Sequence, residues 1–452
     1  MLVNIVVILL HISAQLFTLY DSKPTDQDVA GISKGKVTIH VPIHNEPPDV
    51  VIQTLTYLSH IEYDDYEVIV LDNNTTDENL YLPIKHFCDD HRDFRFYHFD
   101  KVSGYKAGAL NLCNKLSDPR TQFYLIVDSD YCVSERIIQE GLGEFTDSSV
   151  GLVQFPQSYR NSRTKDCGLM MDFSYYFDLV LNKANQFNCP LPTGTLTFIR
   201  KETLDKLGGW KTSSITEDAE LGLHLYKNKY RIKYSPKIVG KGLAPYDYNV
   251  LRKQRQRWIF GNFQILLNYL GSRETMNITF IYGFFLQLTA WLNFAGLSFI
   301  LLLVSSVMEL VNPQPYYPQL QYLALAGIVL HMLGKFILYM GYAGINKRYS
   351  YRTAAKAWLI HLSLMYDGAF CWWKLLLGKR LPFITTAKLH LNKKFELSYH
   401  AFIIPILLAF ELLVLGRTGF SGVAITSAIL FLLYVTAPVL FLKKIKTNKY
   451  PI

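Results

Sequence analysis

Short β-branched runs and longer helical-period runs alternate through the first third of the chain. "KVTIHVPIHNE", "YEVIVLDNN", "FRFYHF" and "QFYLIVDSD" read as strands, whereas "VVIQTLTYLSHI" and "YKAGALNLCNKL" repeat their apolar positions at helical spacing. Near-continuous apolar strands separated by helices predict a parallel α/β sheet that binds ligands at the strands' carboxyl ends. Three polar clusters stand at those ends: His44-Asn45-Glu46, Asp72-Asn73-Asn74 and Asp128-Ser129-Asp130. One such cluster is a turn; three at equivalent places predict a site.

Beyond residue 277 the pattern changes. Residues 280–308, 320–343, 399–416 and 421–442 each come close to the ~20 apolar residues that a bilayer's hydrocarbon core requires. The opening "LVNIVVILLHISAQLFTLY" lacks a clear basic n-region and cleavage site, so it reads as a retained helix. The 309–319 connection has no Lys or Arg, while 344–398 carries ten and the tail from 443 adds four. That asymmetry predicts a cytosolic middle section, a cytosolic 344–398 segment and a cytosolic tail. The apolar 354–377 run is then expected on the membrane surface, with Trp358, Trp372 and Trp373 at headgroup level.

Half of the residues are hydrophobic and only 18% are charged, and the excess apolarity collects at the N-terminus and after residue 277. A net charge of +9 fits nucleic acid, anionic lipid or a phosphate-bearing substrate. Nucleic acid is set aside because the basic residues lie beside apolar segments. The six cysteines form no C-x-x-C pair, which predicts reduced thiols. His331 and His361, inside apolar runs, are expected in the core rather than on a metal.

Three stretches carry candidate chemistry. Asp128 and Asp130 close a buried strand two residues apart and repel each other unless a cation lies between them. Their hard oxygens suit Mg²⁺ or Mn²⁺, which in turn suits a diphosphate, although Asp-Ser-Asp also occurs as a solvated turn. In "SSITEDAELGLHLY", Thr216 is a candidate N-cap, with Glu217 and Asp218 in the first turn, where a helix dipole favours carboxylates. Asp218 could equally serve as a general base. In "LRKQRQRWIFG", helical spacing puts Gln254, Arg257 and Trp258 on one face and Arg252 and Arg255 on another. The first face suits a sugar; the other cations, with Lys253, suit lipid headgroups.

In chain order, "VPIHNE", "LDNN", "GYKAGALN", "VDSD", "PTGTLTFIRKETLDKLGGW", "ITEDAELG" and "QRQRWIFG" resemble a processive family 2 glycosyltransferase, cellulose synthase-like or of the bacterial β-glucan synthase kind. "FITTAK" (383–388) is similar to that family's gating loop, with Thr385 where valine is usual. The resemblance implies a GT-A-type (Rossmann-like) α/β domain with an α-helical transmembrane region. It implies donor binding by Glu46, Asp72, Lys106 and Asp128, and a metal, Mg²⁺ or Mn²⁺, at Asp130 with Asp128. Asp218, with Glu217 beside it, would be catalytic, taking a proton for direct displacement with inversion. Thr193 and Gly194 would line the acceptor end, with Gln254, Arg257 and Trp258 between acceptor sugar and leaving diphosphate. Phe383, Thr386 and Lys388 would close over bound nucleotide. Two departures concern the nucleotide: His44 stands where many relatives have an aromatic residue, and "LDNNTTDE" replaces a paired-acid motif.

The expected organisation is therefore a transmembrane helix at 1–20 and a cytosolic glycosyltransferase domain at 33–275 ending in an interfacial helix. Two transmembrane helices follow in 278–343, an interfacial helix with gating loop in 344–398, two more transmembrane helices in 399–442, and a basic tail at 443–452. The expected protein is integral to the plasma (inner) membrane, polymerising glucose from UDP-glucose into a β-glucan and passing it across. Its partners would be the nucleotide sugar, the growing polysaccharide and membrane lipids. The alternatives are a lipid-phosphate sugar transferase that transfers a single sugar, and a non-catalytic polysaccharide export scaffold.

Overall fold

The computed structural model describes residues 1–20, 34–160, 168–245, 248–270, 277–311, 318–378, 402–415 and 422–445. Its centre is a seven-stranded sheet of order β3-β2-β1-β4-β7-β6-β8. The strands are β1 (Lys36–Ile43), β2 (Tyr66–Asn73), β3 (Phe94–Phe99), β4 (Thr121–Ile126), β6 (Val150–Gln154), β7 (Thr197–Arg200) and β8 (Arg231–Tyr234). A separate ribbon pairs β5 (Cys132–Val133) with β9 (Gly240–Lys241). The helices of this half are α2 (Pro48–Ser59), α3 (Glu78–Asp89), α4 (Tyr105–Leu116), α5 (Ile137–Gly143), α8 (Lys201–Lys206) and α9 (Glu217–Lys227).

Strands β3, β2, β1 and β4 are parallel, as their unbroken apolar runs predict. The sheet as a whole is mixed rather than parallel, because β7 runs antiparallel to both β4 and β6. The chain leaves the sheet for residues 168–196 and returns at the carboxyl end of β4, with Thr197 opposite Ile126, so β7 has to run backwards. Between β1 and β4 the strand order reverses, which opens a crevice at their carboxyl ends.

The second half is helical: α1 (Leu2–Leu16), α6 (Gly168–Tyr175), a π-helical turn (Tyr176–Leu181), α7 (Asn182–Gln186) and α10 (Tyr248–Leu270). It continues with α11 (Ile278–Leu288), α12 (Gly296–Val311), α13 (Pro318–Ile345), α14 (Tyr351–Ser363), α15 (Met365–Phe370), α16 (Trp373–Leu376), α17 (Ile403–Leu415) and α18 (Gly422–Ile445). Gly327, Gly334 and Gly341 recur every seven residues on α13, and a Cβ at any of them would meet Ile8, Ile12 or Leu19. The missing side chains let the N-terminal segment lie directly against the α13 backbone. By length and composition, Leu2–Leu19 and Gln319–Ile345 are the two stretches among the described residues long and apolar enough to cross a membrane.

Two helical expectations change. The 280–308 run is two helices, broken at 289–295. Asn293 donates from its side chain to Met365 O and from its backbone to Gly368 O, fixing a turn inside an otherwise apolar stretch. The 354–377 run is likewise three short helices. Trp358 is buried and donates to Met332 O of α13, so it packs inside the bundle rather than at a surface. His331 and His361 lie in the core with their rings stacked 5.9 Å apart.

Candidate active site

At the carboxyl ends of β1 and β4 lies a cavity of about 440 Å³, within the usual size of a small-molecule site. Its wall brings together Glu46, Lys106, Asp128, Thr193, Gly194, Glu217, Asp218, Gln254, Arg257 and Trp258, residues drawn from six separate segments of the sequence. Tyr105 and Lys106 open α4, and Glu217 and Asp218 open α9, so two helix N-termini border the same space. Thr216 does occupy the N-cap of α9, but its hydroxyl pairs with Ser214 instead of capping the helix.

Lys106 is the hub. Its ammonium donates to Asp128 Oδ1 at 2.5 Å and to Gly194 O at 2.7 Å, tying β4's end to the loop before β7. Lys106 thus sets a cation of the chain itself against Asp128. Burial opposes the lysine's charge, yet the carboxylates of Asp128, Glu217 and Asp218 prevail and hold its pKa above the ordinary value. Asp130 is buried behind the wall, where Oδ2 accepts from the Leu243 amide at 3.1 Å.

Asp218 sits opposite. Burial is the main force pushing its carboxyl up to about 7, and the Glu217 charge adds to it; the Ala219 amide, Lys106 and Arg257 pull the other way. Gly194 has a φ of +81°, and a Cβ there would stand 2.9 Å from Asp218 Oδ2. Glycine is required twice over, by the backbone and by the carboxylate.

A second cavity of about 60 Å³ opens on the far side of Asp218, between Tyr176, Phe177, Leu191, Pro192, Trp258 and Trp291. Asp218, Thr193 and Trp258 face both cavities. The larger one is mostly polar at its wall; the smaller is bounded by rings and aliphatic side chains.

Asp72 is not on the wall. Its Oδ1 accepts from Thr75 at 2.6 Å and its Oδ2 from His98 at 2.7 Å, leaving Asn73 and Asn74 to face the cavity. Thr75 in turn accepts from the Asn45 amide, so Asp72 braces the His44–Glu46 turn from behind. Phe383, Thr386 and Lys388 lie outside the described residues. Sequence reasoning passed over Tyr105, Gln157, Tyr176 and Trp291. Asn45, Asn74 and Tyr105 have φ of +51°, +58° and +53°, a cluster of costly backbone at the rim; asparagine signals that conformation in sequence and tyrosine does not.

The cations of α10 also fall differently from expectation. Arg252 pairs with Asp367 at 2.8 Å, and Gln256 donates to the same carboxylate, while Arg255 is buried against Asp172. Only Lys253 among the three is exposed.

For a divalent ion, the donor chemistry fits. Asp128 presents hard oxygen to the cavity with Asp130 two residues on, and an ion completed by substrate phosphates needs only one or two carboxylates.

Known proteins share this organisation. A poly-β-1,6-N-acetyl-D-glucosamine synthase from Staphylococcus epidermidis is 27% identical over 254 residues, 55% of this chain and 59% of that one. A β-monoglucosyldiacylglycerol synthase from Nostoc sp. is 26% identical over 262 residues, 54% of each chain. The chain thus spans little more than half the length of these curated relatives. A mannosyltransferase from Pyrobaculum calidifontis, solved with GDP-Man and Mn²⁺, superposes with a TM-score of 0.54 at 18% identity, over 74% of this chain and 99% of that one, and so shares the fold. Residues 38–208 match glycosyl transferase family 2. Since residues 124–442 match in one continuous stretch, from within β4 to the last helix, the chain belongs to the glycosyl transferase family group 2.

Proposed function

We propose that this chain is an inverting hexosyltransferase that takes a nucleotide sugar in the larger cavity and an acceptor hydroxyl in the smaller one. The observation that carries it is the position of Asp218, a carboxylate shared by both cavities. The acceptor oxygen attacks the donor's anomeric carbon while its proton passes to Asp218. The bond from that carbon to the diphosphate breaks, and the nucleoside diphosphate leaves. A pKa near 7 suits a base working at neutral pH. Lys106 and Arg257, fixed on the cavity wall, balance charge developing on the departing diphosphate. Asp128, on the cavity wall, would hold Mg²⁺ or Mn²⁺, which neutralises diphosphate charge when bound, with Asp130 set behind it.

For the substrates, we read the donor as UDP-glucose and the acceptor as the end of a β-glucan extended processively and moved toward the helical half. The ordered motifs and the Trp258 face support it, since an indole can cover the apolar face of a terminal sugar. A second reading, transfer to a glycolipid, is favoured by the small, largely apolar acceptor cavity and by the name of the Nostoc relative. Purified full-length chain incubated with labelled UDP-glucose and Mn²⁺ in lipid-containing micelles separates them. Label in a polymer degradable by β-glucanase is the expected result; label confined to the lipid extract would replace the polymer reading. Loss of both products in Asp218→Asn is expected in either case.

A further inference from the structure

Behind the acceptor cavity lies a cation in costly surroundings. Arg255 on α10 and Asp172 on α6 are 2% and 1% exposed. The guanidinium donates to Asp172 Oδ2, and Asp172 Oδ1 accepts from the Tyr339 hydroxyl of α13 at 2.5 Å. Arg255 Nε and Nη1 have no hydrogen-bond partner among the described residues. Rings surround the guanidinium instead: its carbon lies 3.4 Å from the Trp291 centroid, 4.5 Å from Phe173 and 4.9 Å from Trp258. A buried ion pair of this kind gains little stability over an apolar replacement, and unsatisfied buried N–H groups cost more still.

What the arrangement does achieve is to fix two indoles. Trp258 and Trp291 both line the acceptor cavity, with centroids 5.9 Å apart and planes 36° apart. They come from α10 and from the break between α11 and α12, so no shared element sets that angle. Arg255 touches both from behind and does not line the cavity. Tyr176 then stacks on Trp291 at 5.8 Å and 24°, extending the same wall.

We propose that Arg255 is a positioning residue for the acceptor: anchored by Asp172 and Tyr339, it sets the Trp258–Trp291 angle and so the height at which an acceptor sugar meets Asp218. This role rests on the smaller cavity being the acceptor site. It separates the three arginines of the α10 start by function, with Arg257 toward the donor, Arg255 behind the acceptor wall and Arg252 holding Asp367.

Steady-state kinetics on the full-length chain in detergent test it, with UDP-glucose and Mn²⁺ and a β-linked glucose trisaccharide varied as acceptor. The paired variant Arg255→Met with Asp172→Asn removes the cation while leaving an acceptor for the Tyr339 hydroxyl. It should raise the acceptor KM about tenfold and the UDP-glucose KM by less than about twofold. Arg255→Lys, which keeps charge without a flat guanidinium, should raise the acceptor KM about threefold. A wild-type acceptor KM in the paired variant, or equal rises for both substrates, overturns the role; if the pair does not fold, the lysine variant decides by the same split. Trp258→Ala distinguishes the underlying assumption. If it leaves the acceptor KM unchanged, the cavity is not the acceptor site and both ideas fall. If it raises that KM while the Arg255 variants do not, only the positioning role fails.

Discussion

In the proposed reaction Asp218 carries most of the chemistry, and its environment makes specific demands. As the base it must be ionised, so kcat should fall about tenfold per pH unit below an apparent pKa near 7 and level off above it. Asp218→Asn should lower kcat by roughly 10²–10⁴-fold with little change in the UDP-glucose KM. Linkage runs the other way for stability. The folded-state pKa lies above the unfolded value, so this group's contribution falls as pH rises from ~4 to ~7. Asp218→Asn should therefore gain thermal stability over the wild type at pH 8 and not at pH 4; an equal gain at both would contradict the buried, raised-pKa carboxyl. Gly194→Ala must bring a Cβ to 2.9 Å from Asp218 Oδ2 at a φ of +81°. It should cut activity about a hundredfold, at a stability cost of ~1–3 kcal/mol by thermal melting; wild-type kinetics in this variant would mean the carboxylate does not work from the position described.

Among the elements, the glycines of α13 make a direct test. Gly334→Val would collide with Ile12 and should cost ~1–3 kcal/mol, whereas Gly143→Ala, with open space around it, should stay within ~0.5 kcal/mol. Equal melting temperatures for the two variants would mean that α1 does not depend on that contact. Strands β1 to β4 and α4 were legible because apolar period and local turn chemistry are sequence-local, and Tyr105–Leu116 coincides with "YKAGALNLCNKL". What escaped depends on distant partners. The break at 289–295 needs Met365 and Gly368, and hydropathy registers only the apolar run around Asn293. Helical spacing grouped Arg255 with Arg252, yet Asp172, 83 positions away, decides where Arg255 goes. The reversed β7 follows from where the 168–196 excursion ends, which no local pattern encodes.

For the whole molecule, the motifs read in the sequence converge in space: ten of the predicted site residues line one cavity. Asp72 and Asp130 stand a layer back, Asp72 held by Thr75 and His98 and Asp130 by the Leu243 amide. Two consequences can be measured at this scale. EDTA should abolish transfer and weaken UDP-glucose binding, with Mn²⁺ or Mg²⁺ restoring both; full activity in EDTA would remove the ion from the proposal. If the long apolar helices cross a membrane, the chain should stay in the membrane pellet after an alkaline carbonate wash; release to the supernatant would rule that out. One feature of the resting molecule reaches further. Lys106 already balances Asp128, and the proposed nucleotide-sugar donor travelling with a divalent ion is itself close to neutral. Loading the crevice then exchanges one compensated arrangement for another, so little of the donor's capture is won by attraction at a distance. On the proposed reaction, the crevice would sort nucleotide sugars by touch, once they are inside, and be hard to foul with whatever polyanion drifts past.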